Sequence, residues 1–153
     1  KAVGVSNYTA EQMRIAYESL AKRGIPLASN QVEYSLLHRH PETNGVLASC
    51  RELGVTLIAY QPLAGGALTG KYLSGASPKG LRRFMPYFRG KGSEVVGPVV
   101  QCLREIGDRY EKTPAQVALH WLMEPVNSPE SGEPGSKNPT GFYPCGKGWN
   151  LLR

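Results

Sequence analysis

The residues able to do chemistry gather just beyond the short apolar runs of this chain. The run Val55–Ala59 is uncharged and rich in β-branched residues, and it ends abruptly in Tyr60, Gln61, Leu63, Gly65 and Gly66. In parallel α/β folds the ligand lies beyond the carboxyl ends of the strands, so these five residues are the first candidates for a binding wall. Ser6 and Asn7 follow the apolar run Ala2–Val5 in the same way, and Asn30, Gln31, Glu33 and Tyr34 lie at the end of Leu27–Val32. Gly65 to Lys71 has the GxxxxGK spacing of a phosphate-cradling loop. However, Tyr72 stands where a magnesium-binding hydroxyl is required, and Gly75 and Pro78 interrupt the helix that should follow, which argues against a nucleotide triphosphatase. His38 and His40 form an HxH with few cysteine or carboxylate partners nearby, and they read as part of a solvated loop rather than a metal site.

The elements that must position these residues repeat in order. The runs beginning at Ala2, Ala28 and Val55 lie about 27 residues apart, a spacing that fits βα units and a parallel sheet. Each is read as a strand, and Val55–Ala59 as one buried on both faces. Thr9 with Gln12 three residues on is a capping box, and Met13, Ala16, Tyr17 and Leu20 recur at helical spacing until Gly24. A second helix is expected around Asn44–Leu53, with Val46, Leu47, Cys50 and Leu53 on one face and Gly54 as the stop. The stretch from Leu73 to Gly97 is rich in Gly, Pro and basic residues and is expected to be a long functional or mobile loop. A third helix follows with Val99, Leu103, Ile106 and Tyr110 as its buried stripe. Thr113, Pro114 and Gln116 open a fourth, whose apolar face is Ala118, Leu119, Leu122 and Met123. After Met123, prolines alternate with Gly, Ser and Asn, and residues 124–153 are expected to form an irregular or disordered tail.

The chain has 153 residues, 41% of them hydrophobic and 20% charged, which is ordinary for one globular domain. No apolar run approaches the roughly 20 residues that span a bilayer. The sequence opens inside a strand without an initiator Met or leader, which reads as a fragment or as loss of an upstream part. Its three cysteines are odd in number and widely spaced, so a disulfide framework or structural zinc is not expected, and a reducing intracellular compartment fits. A soluble protein of the cytosol or a plastid is expected, and the start of the chain does not separate the two. Net charge is +6, and Lys79, Arg82, Arg83, Arg89 and Lys91 lie in a segment free of acids, which points to an anionic ligand or surface.

Taken together, GVSNY, NQVEYSLL, IAYQPLAGGALTGKY and TPAQVALHWL resemble the second half of an aldo-keto reductase, in the family's order and spacing from Lys1 to about Met123. The resemblance implies an α/β fold that is part of a (β/α)8 TIM barrel, roughly strands five to seven with their helices, with residues 1–123 as a partial NADP-dependent oxidoreductase domain. It implies NADPH as cofactor and a small-molecule carbonyl substrate. Ser6, Asn7 and Gln31 would hold the nicotinamide carboxamide, which needs donors and acceptors to fix the ring face presented. Tyr60 would stack beneath the ring, and the loop from Gln61 through Leu63 and Gly65 would approach the pyrophosphate. The segment from Pro134 to Pro139 matches the family's 2′-phosphate grip, giving Ser136 and Lys137 as further contacts, although no apolar strand precedes them.

The same resemblance puts the family's catalytic Asp, Tyr, Lys and His upstream of the segment like GVSNY. Tyr34, His38 and His40 match none of the motifs that carry them. No catalytic residue and no metal ligand is therefore expected within these residues, and no carbonyl reduction by them alone. An open part-barrel would leave strand edges unpaired, so self-association is expected. The alternative is a non-catalytic module that docks an acidic partner or nucleic acid on the basic loop 79–91, where Phe84, Tyr87 and Phe88 interleave with arginines. A solvated loop covering a cofactor is the simpler reading of that segment, and nucleic acid is not the expected partner.

Overall fold

Alternation along three short strands sets the architecture. The computed structural model describes residues 1–73 and 76–127, and in it β1 (Val3–Ser6), β2 (Leu27–Glu33) and β3 (Thr56–Tyr60) form one parallel sheet in the order β1-β2-β3. Its register aligns Val5 with Asn30 and Leu57, then Ser6 with Gln31 and Ile58. Successive side chains of a strand point to opposite faces. Asn30, Val32 and Leu57 therefore share one face and are buried, whereas Ser6, Gln31 and Ile58 share the other and are exposed. The expectation that Val55–Ala59 is buried on both faces is thus corrected: Leu57 is buried, but Ile58 remains 44% exposed. The physical reason is that the helices of this part of the chain lie on the Asn30 face, where Met13 of the first helix touches Asn30.

The chain divides into two compact units, Lys1–Pro62 and the part from Leu63 onward. In the first, α1 (Ala10–Ala21) starts at the expected box: the Thr9 hydroxyl accepts from the Gln12 N–H at 3.2 Å and the Gln12 side chain accepts from the Thr9 N–H at 2.9 Å. These bonds satisfy two of the donors that a helix start leaves unpaired. Met13 is its fully buried anchor, while Tyr17, expected on the apolar face, is exposed. A four-residue helix α2 (His40–Thr43) precedes α3 (Val46–Leu53), which buries Val46, Leu47, Ser49 and Cys50 and ends at Gly54 as expected. Arg14 of α1 grips both oxygens of Glu52 on α3 at 2.7 and 2.6 Å, and that hydrogen-bonded pairing holds the Glu52 carboxyl below the usual range.

In the second unit, 3-10 turns at Ala64–Thr69, Gly80–Phe84 and Pro86–Phe88 lead into α4 (Lys91–Tyr110) and α5 (Pro114–Asn127). The expected loop Leu73–Gly97 is therefore shorter than the sequence implied, because α4 already begins at Lys91 and takes Gly92, Gly97 and Pro98 into its body. Its buried stripe is Val96, Val100, Leu103 and Gly107, set by packing rather than by the expected positions, and Tyr110 is left 48% exposed. At Gly107 an added Cβ would lie 2.2 Å from the Lys112 carbonyl oxygen, so only glycine allows the corner between α4 and α5 to close this tightly. Thr113 and Gln116 cap α5 as expected, but its buried face is Val117, Ala118 and Leu122, with Leu119 and Met123 exposed. The helix also runs past Met123, where the sequence placed the start of the tail; the rest of that tail lies outside the described residues. Among the described residues no helix is long and apolar enough to cross a membrane.

Candidate functional site

The parallel register brings the strand ends of the first unit side by side. Ser6 and Gln31 are direct register partners at the carboxyl ends of β1 and β2, and Tyr60 pairs with Glu33 two residues further along. By parity Ser6, Gln31 and Tyr60 share the face of the sheet opposite the helices. The Gln31 carbonyl fixes the end of β1 twice, accepting from the Ser6 hydroxyl at 3.0 Å and from the Asn7 N–H at 2.8 Å. With its proton given to Gln31, the Ser6 oxygen is left as an acceptor, and the exposed amides of Asn7 and Gln31 each offer a donor and an acceptor. Such a set matches a primary carboxamide, which itself presents one carbonyl and two N–H groups.

Asn7 and Gln61 both sit in the left-handed region, at φ 57° and 53°. Non-glycine residues rarely adopt it, and asparagine is among those that do so most readily. Both mark where a strand turns sharply into its loop. Tyr60 is half-buried, and its carbonyl accepts from the Tyr34 N–H at 3.3 Å. A cleft of about 200 Å³ opens beside Asn7 and Tyr60, with Glu33, His38 and His40 on its walls. The two imidazoles stack at 5.9 Å, and among the described residues no three His, Cys, Asp or Glu side chains come together to hold a metal. Tyr34 is fully buried and donates its hydroxyl to Glu42 at 3.0 Å. Burial first, and then the Glu42 charge, push its phenol well above the ordinary range.

Leu63 and Gly65 belong to the second unit. There Ala64, Gly65 and Gly66 have successive φ values of 49°, 65° and 97°, a run turning one way that small residues tolerate and that lets a ligand come close to the backbone. A Cβ on Gly66 would meet the Tyr72 ring at 3.6 Å. Tyr72 and Leu73, directly after Lys71, lie in a turn rather than a helix, unlike a P-loop. In the basic loop, the Arg83 and Arg89 guanidiniums lie 4.7 and 4.8 Å from the centre of the Phe84 ring, and Phe88 meets Tyr72 edge-on at 4.9 Å. Ser136 and Lys137 lie outside the described residues.

Sequence reasoning passed over the role of Asn30. It is fully buried on the helix-covered face, and its side chain binds both polar groups of Tyr8. The available signal was an amide that alternates with the buried Val32 two residues on and so shares its face.

Known proteins resemble this chain in sequence and in fold. The sequence profile of the aldo/keto reductase family matches residues 1–135. Over 123 residues the chain is 42% identical to pyridoxal reductase, chloroplastic, of Arabidopsis thaliana, covering 80% of this chain and 33% of that protein. Over 128 residues it is 34% identical to L-glyceraldehyde 3-phosphate reductase of Escherichia coli, covering 80% of this chain and 37% of that protein. The solved glycerol dehydrogenase of Gluconobacter oxydans superposes with a TM-score of 0.69 at 28% identity, over 81% of this chain and 37% of that one. The chain thus spans about a third of the length of the curated relatives it matches.

Proposed function

Because this chain belongs to the aldo/keto reductase family, we propose that it supplies the nicotinamide-binding part of an NADPH-dependent carbonyl reductase and does not itself carry the proton donor. The observation that carries the reading is the placing of Ser6, Gln31 and Tyr60 on one sheet face at three neighbouring strand ends. Ser6, Asn7 and Gln31 hold the carboxamide through the donor and acceptor set described above. Tyr60 supports the ring from one side, and the loop that begins at Gln61 approaches the pyrophosphate. Ser136 and Lys137 extend the grip to the 2′-phosphate. When bound, NADPH supplies the hydride, and the residues of this chain bind and orient it.

Reduction of a carbonyl also needs a proton at the oxygen as hydride arrives. Tyr34 does not serve, since its hydroxyl is buried, committed to Glu42 and made less acidic by both. The carbonyl substrate class is taken from relatives named as reductases of pyridoxal and of L-glyceraldehyde 3-phosphate. The test is calorimetric titration of NADPH into the native chain and into Gln31→Ala. Binding that weakens by about tenfold in the variant, as expected for loss of a buried polar contact to the ligand, supports the reading. Equal affinity for both proteins overturns it.

A further inference from the structure

Asn7 owes its place to a residue that does not face the proposed cofactor at all. Asn30 is fully buried on the opposite face of the central strand. Its Oδ1 accepts from the Tyr8 N–H at 3.3 Å, and its Nδ2 donates to the Tyr8 carbonyl at 3.0 Å and to the Met13 sulfur at 3.1 Å. One side-chain amide therefore stands in for a strand neighbour, satisfying both polar groups of Tyr8 where β1 has already ended. On the other side of Asn7, the Gln31 carbonyl takes the Ser6 hydroxyl and the Asn7 N–H. The turn Ser6–Thr9 is thus pinned at both ends by two consecutive residues of β2, and the capping box at Thr9 continues it directly into α1.

This double pinning matters because Asn7 has φ 57°, a conformation that costs roughly 1 kcal/mol or more for a non-glycine residue and persists only where its surroundings determine it. Buried as it is, the Asn30 amide is not free to trade these bonds for water, so the contact is rigid. We propose that Asn30 is a positioning residue for nicotinamide binding, which acts by clamping Tyr8 and so holding Asn7 in its left-handed conformation toward the carboxamide. The proposal rests on the carboxamide reading of Asn7.

The variants are Asn30→Leu, which keeps the volume and removes every bond to Tyr8, and Asn30→Asp, which keeps the acceptor for the Tyr8 N–H. If the leucine form does not fold, the aspartate form, which loses the donor to the Tyr8 carbonyl, carries the test through exchange at Asn7 and NADPH affinity. Two measurements are made on the full chain. Amide hydrogen exchange without nucleotide follows Asn7 and Tyr8, with Ser49 of α3 as reference. Titration with NADPH and with adenosine 2′,5′-bisphosphate, which lacks the nicotinamide, follows binding in the native chain, in both Asn30 variants and in Asn7→Ala. Exchange at Asn7 and Tyr8 should rise about tenfold or more while Ser49 stays unchanged, and NADPH affinity should fall by about tenfold with the bisphosphate unaffected. Adding Asn30→Leu to Asn7→Ala should then cost little more.

Unchanged exchange at Tyr8 in the leucine form or at Asn7 in the aspartate form, or equal loss for the two nucleotides, overturns the proposal, the last because it marks general damage. NADPH affinity that falls in Asn7→Ala but not in the Asn30 variants overturns it too. Faster exchange, with NADPH binding indifferent to both Asn7→Ala and Asn30→Leu, upholds the clamp but overturns the carboxamide reading beneath it.

Discussion

Tyr60 is the residue on which the binding proposal can be tested most directly, because its role is a matter of flat surface rather than charge. Removal of the ring in Tyr60→Ala should weaken NADPH by about 1 kcal/mol, roughly fivefold, whereas Tyr60→Phe should bind as the native chain does. Quenching of protein fluorescence on titration measures both, and a loss in the phenylalanine form would mean that the hydroxyl is what matters. Ser6, Asn7 and Tyr60 stand just past apolar runs and Gln31 near the end of another, which drew attention to them, and the family resemblance supplied the roles proposed for them. Asn30 could not be assigned in the same way. Its partner, Tyr8, is 22 residues away in sequence, and only the parallel register reveals that the amide faces the helix side.

At the scale of elements, the cluster that closes the loop after β2 gives a pH dependence. The Tyr34 hydroxyl donates to Glu42, whose carboxylate also takes two bonds from Arg39. Because burial and Glu42 raise the folded phenol above its unfolded value, the folded state holds its proton while the unfolded chain loses one. The stabilisation is therefore complete below the ordinary phenol pKa of about 10 and is lost as pH rises beyond it. Denaturant melts should show native stability falling above about pH 10, and Tyr34→Phe, weaker by about 1 kcal/mol at neutral pH, should lack that decline. In the second unit Gly107→Ala drives a methyl group into the Lys112 carbonyl, and should lower stability by about 1–3 kcal/mol in the same melts. The sequence disclosed both helix caps, since their signals are local, but mistook the start of α4. Gly92, Gly97 and Pro98 are poor helix formers individually, and propensity is a weak guide where packing of Val96, Val100 and Leu103 decides the outcome.

For the molecule as a whole, the proposed function separates binding from chemistry. NADPH oxidation by the chain with a panel of reactive aldehydes should, on that proposal, stay at the uncatalysed background, since a missing general acid alone forfeits about 10² to 10⁴ in rate. Turnover that disappears in Tyr60→Ala would instead locate an acid within these residues. Among the described residues β1 and β3 each have one neighbouring strand, and an unpaired strand edge invites pairing with another chain. Sedimentation velocity should accordingly find self-association, and a monodisperse monomer would count against it. The parallel order of the strands was readable from their even spacing. The one-sided burial was not, because an apolar run does not say how many of its faces are covered.

The register carries a further consequence for how this sequence can vary. Ser6, Gln31 and Tyr60 face one way only because Val5, Asn30 and Ala59 face the other. Insertion of a single residue between Asn30 and Gln31 would turn the Gln31 amide into the helices or the Asn30 amide out of them, undoing either the proposed ligand wall or the proposed clamp. Length changes are thus confined to the connections, such as residues 22–26 between α1 and β2, where one residue more or less leaves the parity of every strand intact.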